Sequence, residues 1–291
     1  MAQRPVVLDT DIGTDVDDIL ALALLAKAPE LDLVGVTTVY GDTPFRSRIA
    51  RFSLDKLGRP DVPVISGATK TMTDRPVWWA GHEGAGIDGL DAIEVGEGDA
   101  SDAWLHEAAR RYDGALEIAA IGPLTNIARA IEGDPAFASK VRHLWIMGGV
   151  FWLDQAEHNI KCDPEAAAVV FASAIPITVC GLDVTRKVWF RQPEVAAIAA
   201  SGELGPVLED QIRRWWAFIK ADANNPHDPL ALLPMVRPDL FRFEQCDVAV
   251  GLGEDDLART TLSNCGNGRI RVAAEVQAAE AEAEMVRRIT A

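Results

Sequence analysis

The residues best suited to chemistry in this sequence are acidic and lie close together near its start. Residues 9–18 read DTDIGTDVDD and hold five carboxylates directly after the apolar run PVVL, namely Asp9, Asp11, Asp15, Asp17 and Asp18. Carboxylates this close repel one another and raise each other's pKa unless a cation lies between them. No Lys or Arg occurs between Arg4 and Lys27. The run therefore predicts a site for a hard divalent cation, Ca²⁺ or Mg²⁺, because both ions take oxygen ligands.

Two known carboxylate motifs can be compared with this run. An EF-hand loop starting at Asp9 would need Gly at its sixth position and Glu at its twelfth, where the sequence has Thr14 and Leu20. A phosphatase of the haloacid dehalogenase type also opens with DxD after its first strand, and Asp9 and Asp11 match that spacing. That motif leaves the other three aspartates unexplained, and helix capping needs only one or two. The EF-hand is excluded, and an Mg²⁺ phosphatase stays as an alternative.

Short β-branched runs alternate with Ala- and Leu-rich segments along most of the chain. The runs predict strands at 6–9, 33–39, 62–65, 116–121, 141–147 and 177–182. The segments between them predict helices at 16–27, 45–57, 102–112, 125–132 and 164–173. This alternation implies right-handed crossovers, so we expect an α/β fold with a central, mostly parallel sheet, an open Rossmann-like core and flanking helices. A ligand cleft is then expected at the carboxyl ends of the strands.

Polar or glycine-containing segments follow several of the predicted strands. After the aspartate run come YGDT at 40–43, IGPLTN at 121–126, MGG at 147–149 and GLDVT at 181–185. Two further polar segments are EHN at 157–159 and NNPHDP at 224–229. Because the carboxyl ends of parallel strands meet at one edge of a sheet, we expect a single cleft to collect these segments.

Other polar residues have an ordinary structural explanation. Asp163 and the Pro-Glu pair after it match a capped helix start, with Pro in the first turn and Glu favoured by the helix dipole. His106 and His143 lie in helical or apolar surroundings, where a structural histidine is expected. The acidic tail at 275–288 is expected to form a solvated terminal helix. These segments are therefore not candidates for the reaction centre.

Length and composition limit the class of protein. The chain has 291 residues, 48% apolar content and no linker or repeat, which predicts one domain, 1–291. Its net charge of −16 argues against nucleic acids and anionic membranes as partners, so a small ligand is expected. The apolar stretches are shorter than the ~20 residues of a membrane span, and the start lacks the apolar core of a signal peptide. We therefore expect a soluble, cytoplasmic protein.

The cysteines show no spacing typical of a metal or disulfide framework. They are widely separated and form no CxxC pair, at Cys162, Cys180, Cys246 and Cys265. Scattered cysteines in a protein expected to be cytoplasmic predict buried or half-buried free thiols.

The ordered motifs resemble those of the inosine-uridine-preferring nucleoside hydrolase family. The family opens with DxDxGxDD at the end of its first strand, matched here by Asp9, Asp11, Gly13 and the Asp17-Asp18 pair. Further matches, in order, are TVYGD at 38–42, GPLTNIA at 122–128, MGG at 147–149, the AEHN to DPEAA block at 156–167, GLDVT at 181–185 and HDPLA at 227–231. One such match arises easily by chance, whereas seven in order do not.

The resemblance implies a calcium ion at the bottom of the cleft. The matching ligands are Asp11 and Asp18, the backbone carbonyl of Ile121, and Asp228, which would also contact the sugar. Asp17 would be the general base toward a metal-bound water, in a reaction with an oxocarbenium-like transition state. The family's ribose-binding and leaving-group positions fall on three further residues, Glu157, Asn159 and His227. The resemblance also implies a homodimer or homotetramer.

Two departures from the family pattern leave some roles open. Three residues separate Gly13 from the Asp17-Asp18 pair where the simplest motif has one, so Asp15 is a further candidate for metal ligand or base. Asp42 stands where many members have Asn, and an Asp accepts from a ribose hydroxyl but does not donate.

The base-binding side of the site is expected on variable loops at 72–89 and 218–225 and on nearby aromatic residues. Candidates for that pocket are Trp78, Trp79, His82, Trp215 and Trp216. The sequence thus predicts a Ca²⁺-dependent hydrolase that releases ribose and a free base from a small-molecule nucleoside. The phosphatase and a non-catalytic Ca²⁺-dependent ribose-binding protein are the alternatives.

Overall fold

A nine-stranded sheet runs through the computed structural model, which describes residues 2–291. The strands are β1 Arg4–Thr10, β2 Leu31–Thr38, β3 Val64–Ser66, β4 Leu116–Ala120, β5 Val141–Met147, β6 Ile177–Cys180, β7 Phe241–Val250, β8 Thr260–Ser263 and β9 Ile270–Val276. Their order across the sheet is β3-β2-β1-β4-β5-β6-β9-β7-β8. All neighbours from β3 to β9 pair in parallel, and β7 pairs antiparallel with both β9 and β8. The predicted α/β fold with a mostly parallel sheet is confirmed.

Helices connect the strands and cover both faces of the sheet. They are α1 Asp17–Lys27, α2 Thr43–Lys56, α3 Ser101–Tyr112, α4 Thr125–Gly133, α5 Phe137–Lys140, α6 His158–Cys162, α7 Pro164–Ala172, α8 Leu182–Thr185, α9 Gln192–Ala199, α10 Gly205–Ile219, α11 His227–Leu232 and α12 Ala278–Thr290. Short 3-10 turns occupy Leu90–Ala92, Leu233–Met235 and Pro238–Leu240. Within residues 2–291, no helix combines the length and the apolar composition that crossing a bilayer requires.

The alternation of side chains along the strands creates two apolar cores, one on each face. In β1, Val6 and Leu8 point into a core shared with α1, α10 and α12, whereas Val7 points into a core shared with α3, α4 and α7. Because both faces are covered, β1 is apolar on both sides, as the run PVVL predicts. Helix α1 is itself buried from Asp17 to Leu25. The loop between β1 and α1 is therefore held at both ends by buried elements.

The C-terminal third differs from the predicted structure. Strands β7 to β9 were not predicted, because they form a partly exposed antiparallel edge with mixed burial. The tail prediction was half wrong, since Glu275 belongs to β9 and α12 packs Met285 and Ile289 into the core. The helix also buries an ion pair in which Arg288 Nε donates to Glu284 Oε1 at 2.7 Å.

The prediction of four free thiols was wrong for two of them. Cys246 in β7 and Cys265 in the turn between β8 and β9 form a disulfide, with Cα atoms 4.2 Å apart. The antiparallel pairing of β7 with β8 and β9 brings together cysteines that are 19 residues apart in sequence. Cys162 and Cys180 are buried free thiols, as predicted.

Candidate active site

A cavity of about 330 Å³ opens at the carboxyl edge of the sheet, beyond β1, β4, β5 and β6. Six carboxylates line it, from Asp11, Asp15, Asp17, Asp18, Glu157 and Asp228. The rest of the lining comes from Thr14, Trp78, Ile121, Met147, His158, Asn159, Leu182, Arg186, Trp215 and His227. The predicted cleft at this edge is therefore present, and it collects residues from eight separate segments of the chain.

The innermost part of the cavity is acidic, and we call Asp11, Asp17, Asp18 and Asp228 the acidic floor. Carboxylate oxygens of Asp17, Asp18 and Asp228 lie within 4.8 Å of one another. Two helix N-termini position them, because α1 begins at Asp17 and α11 places Asp228 in its first turn. Acidic side chains are stabilised in the first turn of a helix by its dipole. The backbone N–H of Asp228 also donates to Asp17 Oδ2 at 3.3 Å, which ties the two helix starts together.

Burial and mutual repulsion disfavour the ionised forms of this cluster. Loss of hydration raises the pKa of Asp17, Asp18 and Asp228, and the neighbouring carboxylates raise each pKa further. Burial likewise raises the pKa of Asp15 to about 8. Such a cluster is stabilised in its ionised form by a bound cation. Its donors are all oxygens, which fits a hard divalent ion rather than a soft one.

A buried arginine contributes to the shape of the aspartate loop. Arg46, on α2, is 1% exposed, and its guanidinium donates to the carbonyls of Asp11 and of Ile12, the latter at 2.9 Å. Its Nε donates to the carbonyl of Tyr40 at 2.7 Å. The indole of Trp79 covers the guanidinium at 4.8 Å. Because Arg46 contacts backbone carbonyls and no carboxylate of the floor, it fixes the loop without replacing a bound cation.

Asp9 lies below the cavity and does not line it. Its Oδ1 accepts from Thr37 Oγ1 at 2.5 Å and from Asn126 Nδ2 at 2.7 Å, and burial raises its pKa to about 7. Strand β2 and helix α4 thus hold the end of β1 through this one side chain. Asp9 is also fully buried, which makes it unsuitable as the exposed nucleophile that the phosphatase alternative requires.

Close approach of the backbone at Gly122 shapes the same region. A Cβ placed on Gly122 would lie 2.8 Å from the backbone nitrogen and from Oδ1 of Asp11. Any larger residue would therefore push Asp11 out of position. This contact explains the glycine in the GPLTN motif on packing grounds.

Glu157 and Asn159 form a polar wall of the cavity. Glu157 caps α6, since its carboxylate accepts from the N–H groups of Asn159 at 2.8 Å and Ile160 at 3.0 Å. Asn159 Nδ2 donates to the carbonyls of Ile121 at 2.7 Å and Met147 at 3.3 Å. Both predicted ribose-binding residues therefore lie in the cavity, and Asn159 is bonded to the carbonyl that was predicted as a metal ligand.

The outer part of the cavity is aromatic and basic, and we call Trp78, His158, Arg186 and Trp215 the rim. Trp78 and His158 meet edge to face with ring centres 5.4 Å apart. Next to the rim, His227 Nδ1 lies 2.7 Å from Thr185 Oγ1. Burial, and then the charge of Arg186, lowers the pKa of His227 to about 4, so this imidazole is neutral at pH 7.

Three predicted substrate-binding residues lie outside the cavity lining. Asp42 is exposed and caps α2 by accepting from the N–H of Phe45 at 2.9 Å. His82 Nε2 lies 2.8 Å from the carbonyl of Thr14, and its ring packs on Phe218 at 4.5 Å. Trp79 covers Arg46, as described above. These side chains contact the loops and helix starts around the cavity and do not face the cavity itself.

The residues that were given structural explanations behave as expected. Asp163 Oδ1 accepts from the N–H of Ala166 at 3.1 Å and so caps α7. His106 Nε2 lies 2.8 Å from the Ala130 carbonyl, and His143 Nε2 lies 2.8 Å from Thr178 Oγ1. Trp216, by contrast, was a predicted candidate for the base pocket, but it does not line the cavity, and its buried indole donates to Asn224 Oδ1 at 2.8 Å.

Sequence reasoning missed three residues that the structure brings to the site. Arg46 supports the aspartate loop, Thr185 contacts His227, and Arg186 lines the cavity. Nothing in the sequence around Arg46 indicates its role, because its partners in the aspartate loop lie 34 and 35 residues earlier. Thr185 ends the GLDVT motif and Arg186 follows it directly, so that motif was a usable signal.

Comparisons with known proteins agree with this geometry. The model of the inosine-uridine preferring nucleoside hydrolase family matches residues 6–288. A uridine nucleosidase from Arabidopsis thaliana is 35% identical, with 84% of this chain and 77% of the relative covered. A non-specific ribonucleoside hydrolase from Klebsiella pneumoniae is 34% identical, with 94% and 92% covered.

Solved structures lead to the same family. A plant nucleoside hydrolase superposes with a TM-score of 0.90 at 28% identity, covering 100% of both chains. A purine-preferring ribonucleoside hydrolase from Gardnerella vaginalis superposes with a TM-score of 0.86 at 26% identity, covering 99% of this chain and 98% of that one. The chain therefore belongs to the inosine-uridine preferring nucleoside hydrolase family and is an enzyme of the nucleoside hydrolase class.

Proposed function

We propose that this enzyme hydrolyses the N-glycosidic bond of ribonucleosides in a Ca²⁺-dependent reaction and releases ribose and the free base. The observation that carries the proposal is the convergence of three carboxylates, Asp17, Asp18 and Asp228, within 4.8 Å at the inner end of the cavity. Pyrimidine ribonucleosides, uridine first, are the proposed substrates, because one relative is named a uridine nucleosidase and another a non-specific ribonucleoside hydrolase.

Four groups are proposed to hold the ion: the carboxylates of Asp11, Asp18 and Asp228 and the carbonyl of Ile121. All four residues line the cavity, and they offer only oxygen ligands. Asp15 is a fifth candidate at the edge of the same cluster. When bound, Ca²⁺ would supply Lewis acidity and a positive charge that orients water and sugar hydroxyls.

Asp17 is proposed as the general base that takes the proton of the attacking water. It is buried, it is fixed by the N–H of Asp228, and its raised pKa brings it closer to that of an effective base near neutral pH. Glu157 and Asn159 are placed to bind ribose hydroxyls from the polar wall. The negative charge of the floor would stabilise the positive charge that develops on the sugar at the transition state.

Ribose release is the direct test of this proposal. Uridine, cytidine, inosine and adenosine are incubated with the enzyme, with EDTA-treated enzyme, and with EDTA-treated enzyme given back Ca²⁺ or Mg²⁺. We expect release from at least uridine, loss of release in EDTA and recovery with Ca²⁺. An enzyme that releases no ribose from any nucleoside at high concentration would contradict the proposal.

One variant separates hydrolysis from the two alternatives. Asp17→Asn should lower kcat by roughly 10²–10⁴-fold if Asp17 is the base. A ribose-binding protein would bind ribose equally well with this substitution and would show no turnover to lose. A phosphatase would release phosphate with Mg²⁺ and would tolerate the loss of Asp228.

A further inference from the structure

Among the described residues, 2–291, Arg186 is the one Lys or Arg that lines the cavity. It follows the last residue of α8, and its backbone is held there, because its N–H donates to the Leu182 carbonyl at 3.2 Å and its carbonyl accepts from Asn225 Nδ2 at 3.3 Å. The side chain is exposed at the rim. Within residues 2–291, its guanidinium forms neither an ion pair nor a hydrogen bond, although six carboxylates line the same cavity.

Two consecutive residues at the end of α8 face the outer part of the site. Thr185 is buried and contacts Nδ1 of His227 at 2.7 Å, which leaves Nε2 as the ring nitrogen of His227 not engaged in that contact. Arg186 comes next and lines the cavity together with His227. The end of α8 therefore brings a positive charge to a site whose floor is negative.

The proposed reaction needs positive charge on the side of the departing base. As the bond between C1′ and the base nitrogen breaks, its electron pair leaves with the base, while the water oxygen bonds to C1′ and gives its proton to Asp17. The base thus leaves with negative charge, which a base such as uracil spreads onto its carbonyl oxygens. A guanidinium stabilises such charge, because its planar N–H groups match oxygen acceptors and it stays protonated.

We propose that Arg186 binds the departing base through the carbonyl oxygen next to the glycosidic nitrogen and stabilises its negative charge. This inference rests on the proposed nucleoside hydrolysis. It assigns the substrate class as nucleosides whose base carries such a carbonyl, with uridine as the simplest case. Because the guanidinium has no counter-ion among the described residues, no ion pair has to break before it binds the base.

Leaving-group dependence tests the role directly. Uridine and 4-nitrophenyl riboside share the sugar, but nitrophenolate leaves readily and has no carbonyl beside the broken bond. For Arg186→Gln, we expect kcat for uridine to fall by roughly 10²-fold and kcat for 4-nitrophenyl riboside to change by less than about threefold. Arg186→Lys keeps the charge but not the planar group. Its kcat for uridine should lie between those of the wild type and Arg186→Gln.

A matched control removes the same charge outside the cavity. Arg191 packs on Trp189 at 5.8 Å and does not line the cavity, so Arg191→Gln should keep wild-type kcat for both substrates. Heats of Ca²⁺ binding should be unchanged in both glutamine variants. The role of Arg186 would be overturned if Arg186→Gln lowered kcat equally for both substrates or left kcat for uridine unchanged. Wild-type enzyme that cleaves neither substrate would instead overturn the proposed function, and the inference with it.

Discussion

The acidic floor and the rim differ in how firmly the fold holds them. Three floor residues are each 4% exposed, namely Asp17, Asp18 and Asp228. They lie in the first turns of α1 and α11, whose residues there are buried. Trp78, by contrast, is 46% exposed, and the rim comes from four separate segments. The fold fixes the groups proposed to act on the sugar, whereas the groups proposed to meet the base lie on elements that can vary independently.

Electrostatics separates the two regions in the same way. Burial raises the pKa of Asp17, Asp18 and Asp228 and lowers that of His227, because burial disfavours the charged form of each group. The floor therefore favours a bound cation, while the neutral His227 leaves Arg186 as the cation at the rim. Substitutions in the floor should affect all substrates alike, and substitutions at the rim should change their ranking.

The largest effect is expected from Asp228→Asn. The substitution keeps the shape of the side chain but removes one of three clustered charges, so Ca²⁺ binding should weaken greatly. We expect kcat/KM to fall by about 10³-fold for uridine and for inosine to the same extent. Titration calorimetry with Ca²⁺ and ribose assays measure the two effects. Strong activity on one of the two nucleosides would break the distinction between floor and rim.

Gly122→Ala should have the next largest effect, without touching any charge. The added methyl would lie 2.8 Å from two atoms of Asp11 and displace it, so we expect kcat to fall roughly 10²-fold, as for other changes that misplace a catalytic group by about 1 Å. Gly96→Ala is the control, since nothing lies within 4 Å of a Cβ there. Equal kcat values for the two variants would show that Asp11 tolerates displacement.

At the rim, Trp78→Ala should change the ranking of substrates. Loss of one aromatic surface should raise KM by about tenfold for the base that stacks on it and by less for 4-nitrophenyl riboside. Ca²⁺ affinity should stay at the wild-type value, because the indole of Trp78 packs against His158 at the rim and offers no oxygen ligand. KM values across the nucleoside panel measure this, and a uniform loss of kcat with weaker Ca²⁺ binding would contradict it.

The smallest effect concerns stability and pH. The pKa values of Asp9 and Asp15 are raised from 3.8 to about 7 and about 8, so at intermediate pH the folded protein binds more protons than the unfolded chain. These two carboxyls therefore lower stability as pH rises from about 4 to about 8, and they outweigh the opposite contribution of His143 and His227, whose pKa values are lowered to about 4. In EDTA, we expect the Tm to be several degrees lower at pH 8 than at pH 5.

Calcium should remove the part of this loss that comes from Asp15, because Asp15 lines the cavity and a cation bound there stabilises its ionised form. Differential scanning fluorimetry at pH 5 to 8, in EDTA and in CaCl₂, measures the two curves. Asp9→Asn should flatten both curves slightly, since Asp9 lies below the cavity. A Tm that rises with pH in EDTA would contradict the raised pKa values of Asp9 and Asp15.

Sequence patterns predicted the parallel half of the fold well and the C-terminal edge poorly. All six predicted strands are present, because strands buried on both faces give unbroken β-branched runs. Strands β7 and β8 alternate exposed and buried positions irregularly and carry charged residues, which hides them. The disulfide was missed for a related reason, since only the antiparallel pairing brings Cys246 to Cys265.

The candidate site shows the same limit at the level of residues. Three of the four floor residues, Asp11, Asp17 and Asp18, belong to the aspartate run, so the charge of that run alone indicates an ion site, whereas Asp228 joins it only through the fold. Arg46 supports a loop through residues that lie 34 and 35 positions earlier in the chain. The position of Arg186 in the cavity depends on residues from other segments, so its role could not be predicted from its own motif. Sequence spacing predicts a functional site well when its residues are close together in the chain. It predicts a site poorly when only tertiary packing brings the residues together.

The strand order has a consequence for where such a site can arise at all. Strand β1 lies between β2 and β4, and the helices that follow β1 and β4 pack on opposite faces of the sheet. The chain therefore turns in opposite directions at these two strands, and their loops part at a topological switch point. The crevice results from the winding of the chain and does not depend on the aspartates that line it. New base preferences can evolve at its edge without altering how the protein folds.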